Sequence, residues 1–433
     1  MNNFFVETYG CQMNKSDSIS VIENLKKSGF NQINNPENAD FIIINTCSVR
    51  KTAENRIWGR LGYLKNIKKK NNTTIVIMGC MSQRVGEEFL LSDYPVDIVV
   101  GTYHKEKIPD IIKNYDKGQK LSFLDQNNLL FGNSFPDNEN PQKAFVTISH
   151  GCDNYCSYCI VPYLRGKEIS RPSNEIITDI KRLVDLGVIQ VTLLGQNVNS
   201  YGKDIGDINF SGLLKRISSE TGIGWIKYLS SHPKDFTDEL IEVISTENKV
   251  SRWLHLAVQS GSNKILRAMN RNYEIESYID RINKLKKNIP DMNLTTDILV
   301  GFPGETEKDF MDTIELIKTV KFDDAYMYKY NIREGTYASD NMEDDVPEQL
   351  KLDRLDQIIR LQKAISTERK ERRIGKKYRV IADKMSKKSS TELLGISSED
   401  LMILFSGDKD DFNGVINLKC TGIKGNTLFG EKI

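Results

Sequence analysis

No apolar run in the 433 residues approaches the ~20 that a membrane-crossing helix needs, which argues against a spanning segment. A secretory leader is also missing: Met1-Asn2-Asn3 passes straight into the strand-like Phe4–Val6, so no signal peptide is expected. Charge of one sign is not in excess either. With 60 Lys+Arg, 59 Asp+Glu and a net charge of +1, the total is silent about partners, and only local distribution can speak. Seven cysteines, an odd number without a secretion signal, argue against a disulfide framework. They point to metal or redox chemistry in a reducing compartment, and a cytoplasmic protein is expected. The remaining composition, 39% hydrophobic and 27% charged, is that of a globular chain with room for two or three domains.

What is present centres on His150-Gly151-Cys152-Asp153-Asn154-Tyr155-Cys156-Ser157-Tyr158-Cys159. It follows the apolar, strand-like run Ala144–Ile148, and Gly151 allows a sharp turn before the first cysteine. Three thiolates on one tight loop can each hold one iron of a four-iron cube. No further cysteine occurs before Cys420, which would leave one iron open for a small molecule. Buried packing is an alternative for such cysteines. So is a zinc site of three thiolates completed by His150, although structural zinc usually draws its ligands from two separate knuckles.

Three more cysteines follow strand-like runs near the N-terminus. Phe4–Val6 leads to Cys11, Phe41–Ile44 to Cys47, and Thr74–Met78 to Cys80. Helical segments at Ser16–Lys27, Thr52–Lys69 and Gln83–Leu91 alternate with these runs, and Val96–Val100 adds a fourth. The pattern predicts parallel βαβ units, with ligands beyond the carboxyl ends of the strands. The three cysteines all fall there, spaced 36 and 33 residues apart, so they can converge as ligands of a second cluster.

The C-x-x-x-C-x-x-C loop after a strand resembles the signature of the radical S-adenosylmethionine superfamily. With the early trio, it resembles the methylthiotransferase branch. Tyr9-Gly10-Cys11-Gln12-Met13-Asn14, Asn45-Thr46-Cys47-Ser48-Val49-Arg50, Gly79-Cys80-Met81, Leu194-Gly195-Gln196-Asn197-Val198-Asn199 and Ser231-His232-Pro233-Lys234-Asp235 are similar to members acting on isopentenylated adenosine in tRNA. The resemblance runs over essentially the whole chain.

It implies an N-terminal flavodoxin-like parallel sheet (1–113), a linker (114–143), a central partial (β/α)6 radical domain (144–368), and a C-terminal β-barrel of the OB-like, RNA-gripping TRAM kind (369–433). It implies two [4Fe-4S] clusters: Cys152, Cys156 and Cys159 hold the radical-generating one, and Cys11, Cys47 and Cys80 the sulfur-delivering one. One S-adenosylmethionine would be cleaved to a 5′-deoxyadenosyl radical and another would supply the methyl group. The product would carry a methylthio group at carbon 2 of the adenine beside the anticodon. Gln196, Asn197, Gln259, Ser260 and Asp297 become candidates to hold S-adenosylmethionine, with Val161 or Pro162 near its adenine. The implied partners are the tRNA anticodon stem-loop, a reducing electron donor and a sulfur or iron–sulfur delivery system, and the chain is expected to be a monomer. Sister branches act on threonylcarbamoyl-adenosine or on a ribosomal protein, and a non-catalytic zinc-bearing RNA-binding protein is the alternative from another class.

Six strand-like runs, from Ala144–Ile148 to Ala325–Tyr330, carry polar turns at their carboxyl ends, as an open barrel with its chemistry there requires. Arg165 and Arg171 flank a glycine at this mouth, where a solvated charge run is the default and phosphate contact the functional reading. His232 and His255 are read as structural, because hydrogen abstraction by a carbon radical needs no general base. The family often has proline where this chain has Ala257, and Arg and Asn residues usual in the TRAM module are missing around Gly395–Leu401. Asp345, with Pro347 behind it, can cap a long helix. Lys363–Lys388 holds 11 Lys or Arg against 3 Asp or Glu, the one concentrated basic stretch and a candidate polyanion contact. Five short β-rich runs follow, and Cys420 among them is assigned to the core.

Overall fold

The computed structural model describes residues 2–433 except 49, 50, 92, 387, 388, 390 and 426. Val49 and Arg50 of the second cysteine motif, and Lys387 and Lys388 of the basic stretch, lie outside the described residues.

The N-terminal sheet is built from β1 (Asn3–Thr8), β2 (Asn31–Gln32), β3 (Phe41–Thr46), β4 (Thr74–Gly79), β5 (Ile98–Val100) and β6 (Leu121–Phe123). All pairings are parallel and the order is β2-β1-β3-β4-β5-β6, the flavodoxin-like winding. Residues of β3 and β4 are buried throughout, as central parallel strands covered on both faces must be. Alternate side chains separate into two cores. Ile43, Val76 and Val100 pack under Val21, Ile22 and Leu25 of helix Gln12–Lys27. Ile42, Ile44, Ile75 and Ile77 pack under Ile57, Leu61 and Leu64 of helix Lys51–Asn71. One boundary moves. The sheet ends at Phe123, inside the segment expected to be an exposed linker, because the short Leu-Ser-Phe alternation finds an open parallel edge at β5.

The central domain has two short strands at the cysteine loop, β8 (Ser149–His150) and β9 (Ile169–Ser170), and six parallel ones around it. The six are β7 (Lys143–Thr147), β10 (Gln190–Leu194), β11 (Trp225–Tyr228), β12 (Trp253–His255), β13 (Asn293–Val300) and β14 (Asp324–Lys329). They form two three-stranded sheets, β11-β10-β7 and β12-β13-β14, linked by a bridge at Ser231 and Leu256. The result is an open half-barrel with helices such as Ser173–Asp185, Ile275–Asn288 and Glu307–Val320 on its outside. Helix Glu348–Glu371 adds Ile358 and Ile365 to the same core. Pro347 occupies its N-cap position without a side-chain cap. Asp345 is drawn off to accept the Gly304 amide at 2.7 Å, so it does not cap that helix.

Strands β15 (Lys377–Met385), β16 (Glu392–Ser397), β17 (Met402–Ser406), β18 (Val415–Lys424) and β19 (Thr427–Lys432) close into a barrel, with Cys420 fully buried in its core. This barrel seats against the amino ends of the central strands. Lys143 pairs with Asp383 (2.6 Å), Lys227 with Asp400, and Asn293 donates to the Glu399 carbonyl (2.6 Å). Much of the basic stretch is spent on this docking. Arg369 and Arg373 both close on Asp323 (3.0 and 3.1 Å) and Lys376 on Asp291 (2.5 Å), while Arg372 pairs with Glu368 one turn back on its own helix.

Lys286 lies beside this knot and donates to the Val320 carbonyl. Burial, then the nearby Arg369, depress its ammonium to about 8. The folded chain therefore releases this proton near pH 8, while the unfolded chain keeps it until about 10.5. The unfolded state binds more protons in that window, so stability rises with pH across it and is lost as pH falls through 8. Lys286→Met is expected to remove this slope. The chain should gain about 1–2 kcal/mol below pH 8, allowing for partial solvation of the ammonium, as read from urea midpoints at pH 7 and 10.

Candidate active site

Three strand ends place the early cysteines. Cys11 precedes helix Gln12–Lys27 and Cys80 opens helix Cys80–Val85, while Cys47 follows β3 directly. A polar lattice ties the ends together. The Asn14 amide donates to the carbonyls of Tyr9 (2.9 Å) and Thr46 (2.7 Å), and Asn45 donates back to Asn14 (2.8 Å) and to Ser18 (2.9 Å). Thr46 Oγ1 donates to the Met78 carbonyl (2.6 Å) and accepts the Ser82 amide (3.2 Å). Gly10 has φ +127°, and a Cβ there would sit 2.7 Å from the Cys47 Cβ, so only glycine lets the first and second ends meet. Cys80 is buried, and burial raises its thiol pKa against the pull of Arg165; the Cys11 thiol also acts on it.

The later trio sits on the loop after β8. Gly151, at φ +83°, passes so close to Lys167 that a Cβ would meet its carbonyl oxygen at 1.9 Å. The Gly151 amide donates to Gln196 Oε1 at 2.5 Å, which pins the loop to the end of β10. Burial pushes Cys152 up to about 11 and Cys159 up to about 12, and in both Cys156 adds to the rise. Thiols held this way release their protons when a metal centre binds.

The two trios adjoin. Cys80 packs against Ile160 and Leu164, in the segment that immediately follows Cys159. Thr102 and Tyr103, after β5, bond the carbonyls of Leu164 (2.9 Å) and Arg165 (3.1 Å). Arg333 donates to the Ser48 carbonyl; burial lowers its pKa, and Glu54, then Cys159 and Cys47, act against that. A zinc ion needs four donors about 2 Å from one point. Among the described residues no group of three His, Cys, Asp or Glu side chains is closed up around one point, and this holds for both cysteine trios. His150 packs edge-on against Tyr103 at 5.1 Å. A four-iron cube places its thiolates on separate irons, and two all-thiol trios with no fourth cysteine suit that group.

A cavity of about 1440 Å³ runs through the half-barrel, from Cys11 and Cys159 at its mouth to Asp383, Lys384 and Asp400 of the terminal barrel. Alternate residues of the strands face it: Gln190 and Thr192, Lys227 and Leu229, Trp253 and His255, Asp297 and Leu299, Tyr326 and Tyr328. Trp253, His255 and Tyr326 form a continuous aromatic wall, with centroids 6.2 and 5.8 Å apart. Of the residues expected at S-adenosylmethionine, Gln259 and Asp297 line the cavity, Asp297 already paired with His255 at 3.2 Å. Val161 lines it and Pro162 is buried behind. Asn197 donates to Asp235 (2.7 Å) and leaves its buried Oδ1 unpartnered. Ser260 is turned to Thr313 (3.4 Å) and Ser262 (3.2 Å). Arg165 and Arg171 are buried on Asp17 (3.5 Å) and Asp179 (2.9 Å), so neither is a solvated charge. Burial, then Arg271, holds His232 down to about 2, a neutral ring with no acid–base role near neutral pH. Arg271 and Arg333 escaped the sequence reading. The only trace of the first is a polar Asn270-Arg271-Asn272 run after an apolar helix.

A half-barrel whose strand ends carry a three-cysteine loop defines the class, and residues 146–317 match the radical SAM superfamily. Residues 3–101 match an uncharacterized protein family, UPF0004. Among solved structures, a radical S-adenosylmethionine methyltransferase, TsrM, from Kitasatospora setae superposes with a TM-score of 0.56 at 11% identity, covering 78% of this chain and 77% of that one. This shows a shared fold. Among curated proteins, the tRNA-2-methylthio-N(6)-dimethylallyladenosine synthase of Clostridium botulinum (strain Hall) is 43% identical over 100% of this chain and 97% of its own length. Its counterpart in Clostridium perfringens (strain SM101) is 42% identical over 99% and 97%. The chain belongs to the tRNA-2-methylthio-N(6)-dimethylallyladenosine synthase family.

Proposed function

We infer that this chain is a transferase that adds a methylthio group to carbon 2 of N(6)-dimethylallyladenosine in tRNA, next to the anticodon. The observation that carries the reading is the junction of the two cysteine trios, through Cys80, Ile160 and Arg333, at the mouth of one cavity. Cys152, Cys156 and Cys159 hold one [4Fe-4S] cluster and Cys11, Cys47 and Cys80 the other. Bound there, the two clusters supply the electron that cleaves S-adenosylmethionine and the sulfur that is transferred.

The chain's own side chains do the rest. Gln196 keeps the cysteine loop at the end of β10. Gln259, Asp297 and Val161 face S-adenosylmethionine from the cavity wall. Asn197, Ser260 and Pro162 support that wall from behind. The substrate base leaves its stack to enter, as bases do in enzymes that modify them. Trp253, His255 and Tyr326 give it a ring surface, and base–aromatic stacking contributes about 1–3 kcal/mol. Closure of the strands' amino ends by the terminal barrel directs entry to the cysteine end.

The electron comes from a low-potential one-electron donor, and spent sulfur is restored by a sulfur or iron–sulfur delivery system. The enzyme works as a monomer in the cytoplasm. No helix among the described residues is long and apolar enough to cross a membrane. Mass spectrometry of tRNA nucleosides from a strain lacking this gene tests the reading. The 2-methylthio form should vanish and N(6)-dimethylallyladenosine accumulate. An unchanged level of that form, with loss of methylthiolated threonylcarbamoyl-adenosine, would contradict it.

A further inference from the structure

The terminal basic stretch is not the chain's only one. Residues 56–70, on helix Lys51–Asn71 of the N-terminal domain, hold six Lys or Arg and no Asp or Glu. The inward side of this helix is fixed by Ile57, Leu61, Leu64 and Ile67, all buried against the sheet. At 3.6 residues per turn, the cations then fall on two flanks of the outward face. Arg56, Arg60 and Lys70 lie on one flank, Lys65 and Lys69 on the other. Gly59, Gly62 and Asn66 form the crest between them. No atom lies within 4 Å of where a Cβ would sit on either glycine, so a strand laid along the crest can come close to the backbone.

Two of the six cations are paired inside the domain, Arg60 with Glu7 at 2.7 Å and Lys68 with Asp97. Arg56, Lys65, Lys69 and Lys70 have no ion-pair partner among the described residues, and all but the half-buried Lys65 are exposed. Like charges crowded on one helix face repel, and a bound polyanion relieves that repulsion. The Arg60 guanidinium also lies 4.6 Å from the ring centre of the exposed Tyr63, so a cation and a ring are presented together. The helix starts just past Cys47. Glu54, in its first turn, lines the cavity together with Arg84, Cys11 and Cys159. From Arg56 to Lys70 the charged face runs outward from there for about 21 Å.

We propose that this face of helix Lys51–Asn71 is a docking surface for the sugar-phosphate backbone of the tRNA whose adenine enters the cavity. This rests on the reading of tRNA as the substrate. Phosphates on the two cationic flanks fix the position of the RNA without reading its sequence, and Tyr63 offers a ring to an unstacked base. An acidic protein fits the face less well. Tyr63 is the one large apolar side chain exposed among the described residues of this helix, whereas the centre of a protein interface is apolar.

The test measures binding of tRNA isolated from a strain lacking this gene, between about 50 and 200 mM salt. The reconstituted full chain is compared with a variant carrying Arg56→Gln, Lys65→Gln, Lys69→Gln and Lys70→Gln. A control carries Lys181→Gln, Lys215→Gln, Lys308→Gln and Lys318→Gln, the same charge change at exposed positions on the outer helices of the half-barrel. The first variant should bind at least about tenfold more weakly. Its slope of log affinity against log salt should shrink by about 3, because each phosphate contact contributes about 0.7–0.9. The double variant Lys69→Gln, Lys70→Gln should show about half that change and decides the matter if the fourfold variant does not fold. A slope that moves by less than about 1 in the fourfold variant, or by as much in the control, overturns the proposal. So does unmoved tRNA binding with slower reduction of the chain by reduced flavodoxin, which would assign the face to a protein donor. A parent chain that binds no tRNA overturns the substrate reading itself, which is a distinguishable result.

Discussion

Replacing Cys152 with alanine is expected to abolish cleavage of S-adenosylmethionine to 5′-deoxyadenosine. Its sulfur is one of three that the loop after β8 can offer, and no other cysteine follows before Cys420, which is buried in the terminal barrel. The loop itself should survive, since Gln196 holds Gly151 independently of the sulfur. Chromatographic assay with dithionite as reductant should show 5′-deoxyadenosine at background, a loss of at least about 10³-fold, with a circular dichroism spectrum like that of the native chain.

Cys47→Ala is expected to have the opposite split. The variant should still cleave S-adenosylmethionine and yet make no methylthiolated nucleoside. Cys47 sits at the end of β3, held by the Asn14–Asn45–Thr46 lattice, which bonds through backbone and amide groups that the mutation leaves in place. Arg333, whose charge feels both Cys47 and Cys159, links it to the later loop. Simultaneous counting of 5′-deoxyadenosine and of the tRNA product checks the split. Normal methylthiolation by Cys47→Ala would refute the division of labour between the trios.

Most of this site was legible because its cysteines follow strands. A run such as Phe41–Ile44 is fixed by its β-branched residues, and a cysteine two or three residues beyond must lie at the carboxyl edge of a parallel sheet. What stayed hidden depends on contacts between distant residues. Arg271 and Arg333 find their partners across 115 and 285 residues, and neither stands in a motif that announces a thiol. The basic stretch misled for the same reason: Arg369 and Arg373 read as free charge until Asp323, some 46 and 50 residues earlier, is seen beneath them. Strand β6 was missed because three residues, Leu121–Phe123, carry too little periodicity to outweigh the polar segment around them. The seating of the terminal barrel on the amino ends of the central strands rests on single ion pairs such as Lys143–Asp383, which no local pattern encodes.

On this reading two separate trios of thiols each hold a four-iron cluster. Iron and acid-labile sulfide analysis of the anaerobically reconstituted chain tests it most directly, alongside two triple variants in which one trio or the other is alanine. About eight irons are expected in the native chain and about four in each variant, all brown. A colourless native protein with zinc in place of iron, or a triple variant that keeps the full iron content, would contradict it.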